Sequence, residues 1–179
     1  KKDIIIKLAK SKNEISISSL AEKNAKQSLK QKLVQSDTNN NLIEELASKF
    51  NINNNIELIE VYDNSHIQGT DSVGSLICFG NEGFVKKRYR KFNIKDEKVK
   101  NDDYGMMKEV LFRRFSKAIK EKSGSLSLPD LIMIDGGKGQ YSVSREVLNE
   151  LGLHDLPILA VAKGKRLSLI HISEPTRRI

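Results

Sequence analysis

Only one cysteine, Cys78, occurs in 179 residues, so no disulfide can close within the chain. That suits a reducing compartment. Cys78 falls in the apolar run Ser75-Leu76-Ile77-Cys78-Phe79, where a buried small hydrophobe is expected. No window is long and apolar enough to span a bilayer, and the opening Lys1-Lys2-Asp3 lacks the apolar stretch of a secretion signal. The expectation is a soluble, cytoplasmic protein with no membrane partner. Acidic residues are in deficit: 23 Asp and Glu stand against 31 Lys and Arg, giving a formal net charge of +8 and a pI near 9.5. A field of that sign favours a polyanionic partner, nucleic acid first. A Lys- and Asn-rich composition inherited from an AT-rich genome would give the same excess, so charge alone leaves both readings open. The G-x-x-x-x-G-K-[ST] spacing of a phosphate loop is also missing, which disfavours an ATP site.

The length suits one main domain. Residues 1–17 carry the short apolar runs Ile4-Ile5-Ile6 and Ile15-Ser16-Ile17, read as an edge hairpin. Over residues 18–35, Leu20, Ala21, Ala25, Leu29 and Leu33 recur at helical spacing, with Ser18 or Ser19 as the cap and the Leu and Ala stripe as packing surface. Ser36-Asp37-Thr38-Asn39-Asn40-Asn41 reads as a polar linker, and Leu42, Ile43, Leu46, Ala47 and Phe50 as a second, shorter helix. Residues 1–55 are thus expected to form a helical segment preceding a catalytic domain that starts at residue 56.

Ile56-Glu57-Leu58-Ile59-Glu60-Val61-Tyr62-Asp63 alternates with period two and ends in an acid. Residues 72–79 and 84–94 predict strands joined by the turn Gly80-Asn81-Glu82-Gly83, so three antiparallel strands follow. Residues 94–101 are charged and loop-like. A helix from Asp103 sets Met106, Met107, Val110, Leu111, Phe115, Ala118 and Ile119 on one side and Lys108, Arg113, Arg114, Lys117 and Lys120 on another. Residues 123–127 read as a turn. Leu131-Ile132-Met133-Ile134 is an apolar run ending in Asp135-Gly136-Gly137-Lys138-Gly139, the pattern of a buried parallel strand delivering a carboxylate where open α/β sheets place their chemistry. A helix over 140–151 then returns to a strand over 158–162.

Phosphodiester cleavage needs an activated water and a stabilised leaving oxygen, and divalent cations held by carboxylates supply both. Asp63, Asp103 and Asp135, each at the end of a strand or the start of a helix, form the candidate set for Mg²⁺ or Mn²⁺. The plainer alternatives are an N-cap role for Asp102 or Asp103 and a turn role for Asp135. His66 stays open between ligand, proton carrier and structural residue. Lys138, near a helix start, could meet a DNA phosphate. Lys86, Lys87, Arg88, Arg90 and Lys91 form a basic strand with Tyr89 and Phe92 interleaved, of which about half could face one DNA backbone.

These residues resemble a known family, UvrC, the nuclease subunit of the bacterial UvrABC excision repair system, in its C-terminal endonuclease domain. Tyr62-Asp63-Asn64-Ser65-His66 resembles the family's F-D-I-S-H, Asn101-Asp102-Asp103-Tyr104 its G-D-D-Y, and Arg113-Arg114-Phe115 its R-R-Y. Residues 128–140 resemble L-P-D-L-I-L-I-D-G-G-K-G-Q, and Ala162-Lys163-Gly164 the following A-K-G. The resemblance covers residues 19–165. It implies an RNase H-like mixed α/β sheet flanked by helices, Asp63, Asp103 and Asp135 as catalytic metal ligands, and incision 5′ to a lesion in damaged double-stranded DNA. In that family other regions make the 3′ cut, bind UvrB and grip DNA. None is visible here, so the chain is expected to be a fragment.

Two departures stand out. Asn64 replaces an apolar residue. After residue 166 the family's remaining elements, including a histidine thought to join the site, do not appear; residues 167–179 resemble translated sequencing-adapter read-through, so the domain is expected to occupy 56–166 and His171 is not promoted to the missing role. The reading is a metal-dependent DNA endonuclease domain, truncated at its C-terminus, with Lys138, Arg113, Arg114, Lys87, Arg88 and Arg90 as DNA contacts. Its rivals are a non-catalytic DNA-binding or assembly module and, because core elements would be missing, a fragment that does not fold stably.

Overall fold

A computed structural model describes residues 8–53, 55–67, 71–96, 99, 102–121, 127–162 and 168–172. The expected Ile4–Ile6 half of an edge hairpin, residues 123–126 of the turn expected at 123–127, Asn101, Lys163, Gly164 and residues 173–179 lie outside the described residues.

The first element is one helix, α1 (Lys12–Lys49), in place of a hairpin half, a helix, a linker and a second helix. Its cap is Ser11, whose hydroxyl accepts from the Glu14 amide while the Glu14 carboxylate accepts from the Ser11 amide. This reciprocal box caps the helix seven residues before Ser18 and eight before Ser19, the serines expected to cap it. The polar run at 36–41 stays helical because Thr38 Oγ1 donates back to the Val34 carbonyl and the buried Asn39 donates to the Asn81 carbonyl at 3.3 Å. The helix is about 57 Å long at 1.5 Å per residue. Only its last part packs: Ile43 and Phe50 are buried on the sheet with Leu46 and Ala47 beside them, while Leu20, Leu29 and Leu33 are exposed. The stripe expected to be packing surface is therefore open in this chain.

The sheet has strands β1 (Leu58–Ile67), β2 (Asp71–Gly80), β3 (Gly83–Phe84), β4 (Arg90–Asn93), β5 (Leu131–Asp135), β6 (Ile158–Ala162) and β7 (Ser168–Ile172). Their order is β3-β2-β1-β5-β6-β7, with β4 also on β2. β1 pairs antiparallel with β2 and parallel with β5; β5 and β6 are parallel, and β7 returns antiparallel. The sheet thus continues past the boundary expected at residue 166. The anticipated strand over 84–94 is broken by a 3₁₀ turn at Lys86–Arg88, so its basic residues do not alternate along one ribbon.

Helices α2 (Asp103–Lys120) and α3 (Lys138–Glu150) cover one face, where Met106, Met107, Val110, Leu111, Phe115, Val147 and Leu148 pack on Tyr62, Leu76, Cys78, Ile132 and Ile134. Asp102 caps α2, its side chain accepting from the Tyr104 amide. The other face is covered by the end of α1, over Ile59, Leu131 and Leu159. The two faces alternate residue by residue along β1 and β5, which is why both strands read as nearly continuous apolar runs.

Candidate active site

β1 and β5 run in parallel register from Ile59↔Leu131 to Tyr62↔Ile134. The next residue on each strand is an aspartate: Asp63, exposed, and Asp135, half-buried. Neighbouring strands lie about 4.7–4.9 Å apart, so the register sets these two carboxylate-bearing residues side by side on one face. β5 stops at Asp135, whereas β1 continues to Ile67 paired only with β2. Asp63 therefore stands where β1 parts from β5, inside a longer strand than the sequence suggested. Alternation puts both acids on the face opposite Tyr62 and Ile134, beyond the part covered by α1.

Asp103 reaches the same end of the sheet from the other side, on the first turn of α2. Asn64 Nδ2 donates to the Asp103 carbonyl at 3.2 Å, tying that turn to the residue after Asp63. The substitution that looked like a departure from the family pattern thus makes a direct link between two candidate elements. α3 approaches as well: a Cβ at Gly139 would lie 2.4 Å from the Tyr104 ring, so the first turns of α2 and α3 meet only because residue 139 has no side chain. Gln140 folds back to accept from the Gly137 amide at 3.0 Å, which starts α3 at Lys138, two residues earlier than its apolar periodicity implied. Lys138 is exposed on that first turn. Among the described residues, no group of three or more His, Cys, Asp and Glu side chains is gathered tightly enough to hold a metal ion. The side chain of His66 lies outside the described residues.

The expected DNA-contacting cations separate by geometry. Arg114 is a correction: it is 4 % exposed, with its guanidinium 2.6 Å from Glu60 and donating to the Ser127 carbonyl at 2.9 Å. Glu60 Oε2 also accepts from the Tyr62 hydroxyl at 2.6 Å. Buried beside that carboxylate, the Tyr62 hydroxyl is held well above its ordinary pKa, by desolvation first and by Glu60 next. The same two causes push the Cys78 thiol up to about 11. Basic residues on a helix read as surface, so the signal for this pair lay elsewhere: Glu60 sits in a strand buried on both faces and needs a buried partner. Arg113 is bound to Glu109 at 2.9 Å and to the Asn93 carbonyl, with Phe92 5.7 Å below it. Arg88 is fastened to the Ser127 carbonyl and hydroxyl, and Arg90 to the carbonyls of Lys87 and Tyr89. Lys87 and Lys138 are exposed.

A family model described as the UvrC RNAse H endonuclease domain matches residues 47–177. UvrABC system protein C of Cereibacter sphaeroides is 50% identical over 147 residues, covering 80% of this chain and 24% of that protein. The protein of the same name from Ruegeria sp. (strain TM1040) is 46% identical over 167 residues, covering 92% and 26%. The chain spans about a quarter of the length of these curated relatives. A solved structure of Ciona intestinalis endonuclease V, in complex with a 24mer DNA containing an inosine followed by a ribo-adenosine, has a TM-score of 0.44 at 18% identity, covering 87% of this chain and 60% of that one. The match over residues 47–177 establishes that this chain belongs to the UvrC RNase H endonuclease domain family.

Proposed function

We propose that this chain cuts damaged double-stranded DNA 5′ to the lesion, as part of a UvrABC excision system with UvrB as partner, and that the cut depends on Mg²⁺ or Mn²⁺ held by Asp63, Asp135 and Asp103. The observation that carries the reading is the strand register that brings Asp63 and Asp135 together, with the start of α2 tied one residue away through Asn64. Two adjacent carboxylates suit Mg²⁺, which takes hard oxygen ligands, keeps several waters and completes its shell on substrate phosphate. A cation bound there supplies an activated water and neutralises charge on the leaving oxygen. The chain's own part is positional. Asp63 and Asp135 come from strands locked by core packing on both faces, and Asp103 enters on the first turn of a helix whose start Asn64 holds. Lys138, exposed three residues beyond Asp135, supplies a positive charge for the DNA backbone.

In the full-length protein that carries this chain, Asp63→Ala, Asp103→Ala and Asp135→Ala are each expected to abolish 5′ incision while the complex on damaged DNA still assembles. Normal 5′ incision by any one purified variant would refute that residue's role. The rival is a non-catalytic DNA-binding or assembly module, and the same assay separates the two: under that reading all three variants cut like the parent.

A further inference from the structure

We infer that Lys91 grips a backbone phosphate of the DNA strand that lies over Asp63 and Asp135, a deepening that rests on the nuclease reading above. The antiparallel registers place Lys91 of β4 opposite Ser75 of β2, and Ser75 opposite Asp63 of β1. Asp135 stands one step beyond the Tyr62↔Ile134 pair, so Lys91, Ser75, Asp63 and Asp135 form one row across four strands. Residues directly opposite one another share a face. The row is therefore a strip with a cation at one end and two carboxylates at the other. Two strand spacings separate the Lys91 and Asp63 backbones, roughly 9–10 Å. A phosphate backbone crossing the strip would present one charged group to the acids and another to the lysine.

The same register excludes the neighbouring arginine. Arg90 lies opposite Leu76, which lies opposite Tyr62, the row buried under α2, and its guanidinium folds onto nearby carbonyls. Lys91 is exposed and has no ion-pair partner among the described residues. Ser75 Oγ is turned to the Asp63 carbonyl at 3.2 Å, which stiffens the strip between the two charged ends without placing a countercharge beside the lysine. Of the basic cluster that sequence alone marks over residues 86–91, Lys91 is thus the strand residue aligned with the acids.

The test uses the full-length protein carrying this chain and a labelled DNA duplex, titrated across a salt series. Removing one phosphate contact lowers the slope of log Kobs against log salt by about 0.9. That loss is expected for Lys91→Gln, retention for Lys91→Arg, and retention for Lys117→Gln, which makes the same charge change near the far end of α2. In incision assays Lys91→Gln is expected to raise KM several-fold and leave kcat in place, since a backbone contact is made equally in ground and transition states. An unchanged slope for Lys91→Gln, or an equal loss of slope for Lys117→Gln, would overturn the assignment. Asp63→Asn is run in parallel: lost incision with parental slope upholds the nuclease reading separately, and normal incision sinks it while the slope still decides whether Lys91 meets DNA.

Discussion

Replacing Arg114 with methionine would strip the guanidinium from a carboxylate that is 1 % exposed, leaving Glu60 with the Tyr62 hydroxyl alone. Both partners are out of solvent, so the near-zero worth of surface ion pairs does not apply. Breaking one side of a buried pair costs about 3–5 kcal/mol, because the remaining charge is neither hydrated nor neutralised. At roughly 2–4 °C per kcal/mol for a chain of this size, thermal unfolding should begin about 6–20 °C lower. The double variant Glu60→Leu with Arg114→Met removes both charges, and replacing a whole buried pair by apolar groups is near neutral or stabilising. The Ser127 carbonyl keeps its bond from Arg88 in that variant. Circular-dichroism melts of the parent, both single variants and the double variant form a cycle that isolates the coupling. If Arg114→Met melts within about 2 °C of the parent, or the double variant is as unstable as the sum of the singles, the buried pair does not hold β1 to α2 as argued.

The remaining expectations are shorter. Cys78 should resist alkylation in the native state at pH 8 and react on unfolding; because its folded pKa is raised from 9.0 to about 11, its contribution to stability is complete below pH 9 and is lost as pH rises toward 11. Denaturant titrations at pH 8, 9, 10 and 11 should show part of that decline vanish in Cys78→Ala, and an unchanged decline would count against the burial argument. At Gly74 an added Cβ would lie 2.4 Å from a buried Val110 methyl, so Gly74→Ala should cost about 1–3 kcal/mol by overpacking, with recovery in Gly74→Ala combined with Val110→Ala. Equal stability of Gly74→Ala and parent by urea unfolding would show that α2 yields freely.

Much of this fold is legible wherever one physical signal dominates. β5, β6 and α2 follow from uninterrupted apolar runs and from a stripe at helical spacing. The misreadings fall where local and tertiary preferences disagree. Asp, Thr and Asn at 36–41 favour turns in isolation, yet the Asn39 link to Asn81, 42 residues away, holds them in α1, and no local pattern announces such a contact. The break at Lys86–Arg88 is equally non-local, since Arg88 is drawn to Ser127. Among the candidate residues, the adjacency of Asp63 and Asp135 is legible because an acid ending an apolar strand is conspicuous, whereas Asp103, at a helix start, carries no such signal. The fate of the arginines is not, because charge says nothing of whether its partner is a DNA phosphate or a carboxylate on the next element.

What positions Asp63 against Asp135 is the core on either side of them. Tyr62 and Ile134 are buried under α2 and α3, whereas Ile59 and Leu131, three residues earlier on each strand, are buried on the α1 side, so the same strands anchor opposite faces. Sliding β5 by one residue along β1 would turn Ile134 out of one core and drive Asp135 toward it, exchanging buried apolar surface for a buried charge along the whole strand. A slip of two residues would restore the alternation but move Asp135 about 6.6 Å along the strand, past the point where Asp63 stands. Packing distributed over both faces thus fixes the one register in which two acids 72 positions apart in sequence become neighbours. The β2–β1 and β4–β2 registers, which pair Asp63 with Ser75 and Ser75 with Lys91, fix the spacing between carboxylates and cation in the same way.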